Sequence, residues 1–239
     1  MHLSLSIKTS SILCKGVSSL EEQLQWAKQD LKLSDDLPFG KLSHIPMMQA
    51  RRMSKATSLA CESFLTVLET HSVDAAVFLS EHGELERSHK ILDAINQNQN
   101  ISPTDFSMSV HNVAAGLSTI LSQKNIEVSS ISAGQDGLFQ ALFEIMVLLE
   151  SGAKNVLLVA FDGNIPEFYH NYGVHDEPTY AMTMLFEKGN DWQINFKNCS
   201  TENVIAIPLP IQLAHAYLST QQGFTLKGVN QLSTWECNV

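Results

Sequence analysis

No two of the four cysteines stand close together. Cys14, Cys61, Cys199 and Cys237 make neither a CxxC pair nor a disulfide framework, so reduced thiols and a cytoplasmic location are expected. Basic runs are missing too. With 15 Lys and Arg against 25 Asp and Glu, a net charge of −10, the chain lacks the positive face that releases phosphate counterions in nucleic-acid binding. No apolar stretch is long enough to cross a bilayer; the longest, 141–149, is interrupted by Glu144 and reads as a buried helix face. Met1 to Lys8 has no signal-peptide core or cleavage site, which leaves Asn198-Cys199-Ser200 a glycosylation match without a secretory context. There is no internal repeat and no low-complexity segment. A Gly-x-Ser-x-Gly elbow, a zinc signature and a phosphate-binding glycine loop are all lacking. No cofactor is implied. His82, Glu86 and His89 fall at i, i+4 and i+7 and so share a helix face, but surface histidines on a helix starting at Gly83 are a simpler reading than a metal site.

What is present suits a globular α/β chain: 239 residues, 44% hydrophobic and 17% charged. Residues 2–8 alternate with period two, as a strand with one buried face does, and are expected to join a central sheet. Ser18-Ser19 before Glu21 and Glu22 marks a helix start, with Leu20, Leu24, Ala27 and Leu31 as its apolar stripe. Residues 34–46 read as loop. A longer helix is expected from Met47 to about Glu69, with Arg51 and Arg52 most simply on a solvated face. Val73 to Leu79 is apolar enough for a strand buried on both sides, and 96–100 is a polar break. Beyond Asp162 a long loop precedes three strands: Tyr180 to Glu187, Trp192 to Phe196 paired with it across Gly189-Asn190-Asp191, and Val204 to Ile207. Pro210 opens a last helix to about Thr220, and 221–239 shows little periodicity. The alternation of elements implies a mixed, largely parallel sheet in one domain.

Ile101 to Asp162 organises the rest. An Ile101-Ser102-Pro103 entry leads to a helix around Asn112 to Leu121, a β-rich run Ile126 to Ile131, a tight Ser132-Ala133-Gly134-Gln135 turn, a long helix and a strand Val156 to Val159. Such an elbow is where α/β enzymes hold a nucleophile at the positive end of a helix. Here it carries Gln135, whose amide is neither a nucleophile nor a useful acid or base.

Ile101-Ser102-Pro103, Asn112, Ala115-Gly116, Ser132-Ala133-Gly134-Gln135 and Gly152 follow one another as in the N-terminal half of β-ketoacyl synthases, a family with the thiolase fold that the chain resembles. In that register Gln135 takes the place of the nucleophilic Cys. A register one residue earlier puts Gly134 there, and neither residue forms a thioester. More closely, Arg51-Arg52 with Ser54, His82-Gly83-Glu84-Leu85 and the run Ser102 to Asn112 are similar to the short, chain-length-factor-like subunits of aryl polyene biosynthesis, over residues 45 to 165. Type II polyketide chain length factors likewise have Gln where the Cys would be.

The resemblance implies a truncated thiolase-like α/β fold, the ketosynthase N-terminal half, with a mixed sheet covered by helices on both faces. It implies one domain over 1–239, with a core of 1–190 and a short extension, 190–239, replacing the usual second half. It also implies a non-catalytic subunit that pairs with a full β-ketoacyl-ACP synthase, shapes its acyl or polyene tunnel, and meets acyl carrier protein only indirectly. The catalytic histidines and lysine of the family lie in the missing half, and His215 has no matching motif around it. By the same resemblance Leu85, Glu86 and His89 are candidates to control product length, with Phe106 and Met108 at the seam; read from residues alone, Phe106 and Met108 are core. Pairing is expected through strand 126–131 and helix 110–121, with Ile126, Val128, Ser130, His111 and Asn112 at the interface. His111-Asn112 is otherwise most simply a satisfied, buried pair on a helix facing the core. One half of a two-half fold leaves a face uncovered unless a partner or 190–239 packs there. The alternatives are a scaffold for acyl carrier protein and a stand-alone acyl hydrolase or transferase built on a Ser132–His111 dyad.

Overall fold

The period-two alternation at the N-terminus becomes β1 (His2–Leu13), and it is central. The computed structural model describes residues 2–34, 36–172, 178–199, 207–219 and 222–238, so the strand expected at 204–207 falls almost wholly outside them. The remaining strands are β2 (Ala75–Leu79), β3 (Glu127–Ile131), β4 (Asn155–Asp162), β5 (Tyr180–Lys188), β6 (Trp192–Asn198), β7 (Gly223–Lys227) and β8 (Gln231–Cys237). They form one sheet in the order β3-β2-β4-β5-β1-β6-β8-β7. Only β2 with β3 and β2 with β4 run parallel. The expectation of a largely parallel sheet is therefore corrected: five of the pairings are antiparallel.

The hairpin expected at Gly189-Asn190-Asp191 is corrected as well. Lys188 of β5 pairs with Leu5 on one side of β1, and Trp192 of β6 pairs with the same Leu5 on the other. The three residues do not reverse the chain; they carry it across β1. The glycine is required there because a Cβ on Gly189 would lie 1.8 Å from Ser6 Oγ. Residues 221–239, read as aperiodic, supply β7 and β8. Their signal is weak because each strand is short and the inner face of β8 alternates through Ser233 as well as Trp235; Trp235 stacks on Phe224 at 5.3 Å between centroids, with Trp192 beside both.

Helices cover both faces of the sheet's middle. On one side lie α1 (Leu20–Trp26), α7 (Gly137–Glu150) and α8 (Leu209–Ser219), burying Trp26, Leu138, Phe139, Leu142, Ile145 and Ile211 against β2, β4, β5 and β1. On the other lie α3 (Lys55–Thr70) and α6 (Val113–Ser122), with Leu59, Phe64 and Ala114 against Phe78, Leu157, Val159 and Leu185. Each such side chain contributes about 1.5–3 kcal/mol by leaving water. The remaining helices are α2 (Met47–Ala50), α4 (Leu85–Asn96) and α5 (Pro103–Ser107). The single helix expected from Met47 to Glu69 is thus two, because Ser54 Oγ accepts the Thr57 N–H and starts α3 afresh. Ser19 and Glu22 form the capping box of α1. Its buried residues are Gln23 and Trp26, however, while Leu20 and Leu24 are exposed. Gln23 wins the inner face because its amide serves the sheet, accepting from the Ile12 N–H and donating to Ser11 Oγ.

One face of α3 is closed by the segment that precedes it. Phe39 and Leu42 pack against its cluster, Ile45 is buried nearby in sequence, and the segment is fastened by Glu62, which accepts from the Ser43 N–H (2.6 Å) and from His44 Nδ1 (2.8 Å). His44 Nε2 meets Glu69 at 2.9 Å. Burial alone would lower the His44 pKa, but hydrogen bonds and charge from Glu62 and Glu69 outweigh it and hold the value above 6.5. A raised folded-state value stabilises fully below the unfolded value and is lost as pH rises through the folded one. The expected result is an NMR titration midpoint for His44 above 6.5, with faster amide exchange in 39–45 on the alkaline side. A midpoint at or below the unfolded value would contradict the clamp.

Candidate functional site

The three parallel strands end at the same pole, where open α/β sheets place their ligands. The carboxylate of Asp162, 3% exposed at the end of β4, reaches across to the end of β2. It accepts from Ser80 Oγ (2.6 Å), the Glu81 N–H (2.9 Å) and the His82 N–H (3.0 Å). Ser80 Oγ in turn accepts the Gly83 N–H at 2.7 Å. Gly83 has φ +55°, and a Cβ there would lie 2.9 Å from His111 Cδ2, so glycine serves both the turn and the close approach. His111 Nε2 donates to the Ser80 carbonyl at 2.9 Å, and Ser132 Oγ, at the end of β3, donates to the Glu81 carbonyl at 3.1 Å. Both members of the imagined dyad are therefore bonded to backbone carbonyls rather than arranged as nucleophile and base.

Behind this pole, Glu84 is buried and accepts from Ser54 and Thr57 hydroxyls. Arg87 links Glu84, Asp105 and the Arg52 carbonyl. Asp162, Glu84 and Arg87 were missed in the sequence. The available signal was an acid closing a wholly apolar strand, Val156 to Phe161, where only a hydrogen-bonded carboxylate is tolerated.

The elbow itself is present as strand, turn and helix. Gly134 has φ +63° and its carbonyl accepts the Gly137 N–H at 2.9 Å; Gln135 is exposed, and α7 begins two residues on. No thiol stands in for the missing nucleophile among the described cysteines of the core. Burial raises the Cys14 pKa to about 12 and the Cys61 pKa to about 11, so both are protonated and inert near neutral pH.

The length-control candidates lie on α4 and at α5, which touch each other. Leu85 is half-buried at the start of α4. Glu86 is exposed and paired with Lys90. His89 stacks on Phe168 at 5.3 Å and meets Tyr169 edge-on, an aromatic group the sequence did not single out. His82 precedes α4, so the three-residue helical face with Glu86 and His89 does not exist. Met108 is half-buried, but Phe106 is 65% exposed, which corrects its reading as core: α5 is one turn long and touches the body through α4. Among the described residues no group of three His, Cys, Asp or Glu is placed to hold a metal, and no helix is long and apolar enough to cross a membrane.

The interface candidates, by contrast, do meet. His111, Asn112, Val128 and Ser130 line one shallow groove with Ala115 and Gly116; Ile126 is outside that lining, half-buried against the core cluster of Phe64 and Phe78. His111 and Asn112 precede α6 rather than facing the core from it; Asn112 is exposed at the N-cap position. β3 is a sheet edge. The Glu127 N–H donates to the Asp74 carbonyl and the Ser80 N–H to that of Ile131, so alternation along the strand turns the N–H and C=O groups of Val128 and Ser130 outward. Asn112 and, on α6, Gly116 and Ile120 continue this exposed surface.

A family model described as β-ketoacyl synthase, N-terminal domain, matches residues 23–236. No curated protein is detectably similar in sequence. Among solved structures, a chain from the complex of the ketosynthase ApeO with its chain length factor ApeC from Xenorhabdus doucetiae is 37% identical. The match covers 98% of this chain and 99% of that one, with a TM-score of 0.92. The ishigamide ketosynthase/chain length factor matches at 13% identity and TM-score 0.74, covering 98% and 99%. A chain of AntDE:AntF, a type II acyl carrier protein in complex with its ketosynthase bound to the hexaketide, matches at 9% and 0.71, covering 99% and 100%. These last two likenesses speak for the fold alone.

Proposed function

The chain belongs to the β-ketoacyl synthase N-terminal-domain family, and from that premise we propose that it is a chain-length-factor-like subunit, without condensing activity of its own. In this reading it pairs with a full β-ketoacyl-ACP synthase in aryl polyene or related fatty-acid or polyketide-type biosynthesis. The observation that carries the reading is the end-to-end match at 37% identity to a chain of a ketosynthase and chain length factor complex. The near-complete coverage of both chains means that the matched subunit is as short as this one. Gln135 at the elbow agrees with it, since an amide accepts no acyl group. So does the outward-facing edge of β3, since a strand edge is a template for another chain. Acyl carrier protein is met through the ketosynthase rather than directly. One domain, 1–239, with 190–239 in place of a second half, is part of the same proposal and is supported by the single continuous sheet.

Coexpression with a full-length ketosynthase from the same source tests it. A stoichiometric complex is expected, together with poor solubility or self-association of the chain alone. A monodisperse monomer that ignores the ketosynthase overturns the proposal, and esterase activity of that monomer would support the hydrolase instead. Incubated with a radiolabelled acyl donor and then denatured, the chain is expected to retain no label, and Gln135→Cys is expected to gain no condensing activity because no histidine pair accompanies it. Within the complex, alanine at Leu85, Glu86, His89, Phe106 and Met108 in turn is expected to lengthen the product at the residue that blocks the tunnel, a hydrocarbon being unable to pass a filled cross-section. Unchanged product length and rate in all five would remove the assignment.

A further inference from the structure

The residue after Gln135 holds a position from which an aspartate ordinarily serves its own helix. Asp136 does not. Its backbone has φ −89° and ψ 11°, outside the extended geometry of a capping residue, and its side chain caps nothing in α7. The carboxylate turns instead to the connection between β7 and β8, where it accepts the Val229 N–H at 2.7 Å and the Asn230 N–H at 2.8 Å. That turn closes on itself through the Gly228 N–H and the Gln231 carbonyl at 2.8 Å. It comes close enough to require glycine: a Cβ on Gly228 would lie 1.9 Å from Asp136 Oδ1 and 2.9 Å from Phe139. Strands β7 and β8 are at the far end of the sheet from β3, yet their turn is bonded to the residue beside the elbow that follows β3.

We propose that Asp136 is a positioning residue: by locking the 228–230 turn to the start of α7 it fixes the direction in which Gln135 is presented. Resting on the partner-subunit reading above, the surface so held is one that faces the ketosynthase or its tunnel, and residues 222–238 belong to the elbow's machinery. The physical ground is that Gln135 has little else to hold it. It is exposed, it follows a glycine at φ +63° with open space around it, and no side-chain contact of its own fixes it among those described. Two hydrogen bonds to a carboxylate one residue away are then the strongest local restraint.

Hydrogen exchange on the full-length chain tests this in wild type, Asp136→Ala, Asp136→Asn and Gly228→Ala, alongside the product-length distribution of each in complex with the ketosynthase. Amides of 133–138 are expected to exchange about tenfold faster or more in Asp136→Ala and Gly228→Ala, with β2 and β4 unchanged. Asp136→Asn should fall between, since its one side-chain oxygen can replace only part of the pairing. In the complex, product length should broaden in the same order at constant amounts of heterodimer, a change that a residue needed only for folding would not produce. Wild-type exchange at 133–138 in all three variants, with 228–230 loosened, overturns the proposal. Should Asp136→Ala fail to fold, the other two variants carry the same comparison. The exchange arm needs no partner, so a chain that binds no ketosynthase defeats the functional reading, whereas a normal complex with an undisturbed elbow defeats this coupling alone.

Discussion

Val128→Pro should leave the isolated chain folded and weaken its association with a ketosynthase by about 100-fold. The reasoning begins with which way the backbone faces. Glu127 and Ile131 spend their ladder groups on the β2 side, so Val128, between them and 37% exposed, aims its N–H at the free edge. Proline is tolerated on an edge strand when the lost donor faces solvent, and excluded where that donor pairs. The substitution therefore removes nothing from the chain's own sheet and places a ring in the path of an incoming strand. A cost of about 3 kcal/mol, of the size a misplaced proline imposes, corresponds to about two powers of ten in affinity. Ser129→Pro is the control. Its N–H faces β2, so it should destabilise the chain whether or not a partner is present. The measurement is copurification and titration of the two proteins, with circular dichroism to confirm the fold. Full binding by Val128→Pro would show that the partner does not extend the sheet across β3.

Asp162→Ala should lower stability by about 3–5 kcal/mol, the largest effect expected of any single substitution at the pole. Removing the carboxylate leaves one hydroxyl and two backbone N–H groups without their acceptor, each costing about 1–3 kcal/mol where water cannot replace it. Ser80 is itself buried. For a chain of this size that corresponds to a fall of about 10 °C or more in Tm. Asp162→Asn keeps one accepting oxygen and should cost less than half as much. Because His111 and Ser132 bond to the carbonyls of Ser80 and Glu81, the loosened turn should also speed amide exchange at the start of α6. A Tm within about 2 °C of wild type for Asp162→Ala would mean that the Ser80–Gly83 turn holds without it.

How much of this was legible depends on whether a residue's role is local. The capping serines, the apolar β2 and β4, the α7 helix and the elbow with Gln135 all announce themselves within a dozen residues, through propensity and period. The family likeness, carried by Ile101-Ser102-Pro103 and the elbow, was legible for the same reason. What sequence did not reveal are pairings chosen by distant partners. Gly189-Asn190-Asp191 has the composition of a hairpin turn, and only the presence of β1 between β5 and β6 makes it a crossing. Gln23 displaces Leu20 and Leu24 from the inner face of α1 because the Ile12 N–H needs an acceptor, and Phe106 is exposed because α5 is too short to bring it inward. Asp136 looks like a cap and serves a turn 93 residues away.

The position of β1 has a consequence for how the protein is made. Leu13 pairs with Ala181 and His2 with Asn195, so β1 has neither neighbour until β5 and β6, far along the chain, have been translated. At about 5–20 residues per second that wait lasts roughly 10–40 s. Throughout it, an alternating strand bearing Leu3, Leu5 and Ile12 is exposed on both edges, while the segments that follow it form helices and the three strands β2, β3 and β4, which pair with one another and not with β1. Contacts of such long separation also close slowly once the strands exist. Nascent chains stalled before Tyr180 should therefore be protease-sensitive at 2–13 and bound by chaperones, and protection there should arrive only once β5 has emerged.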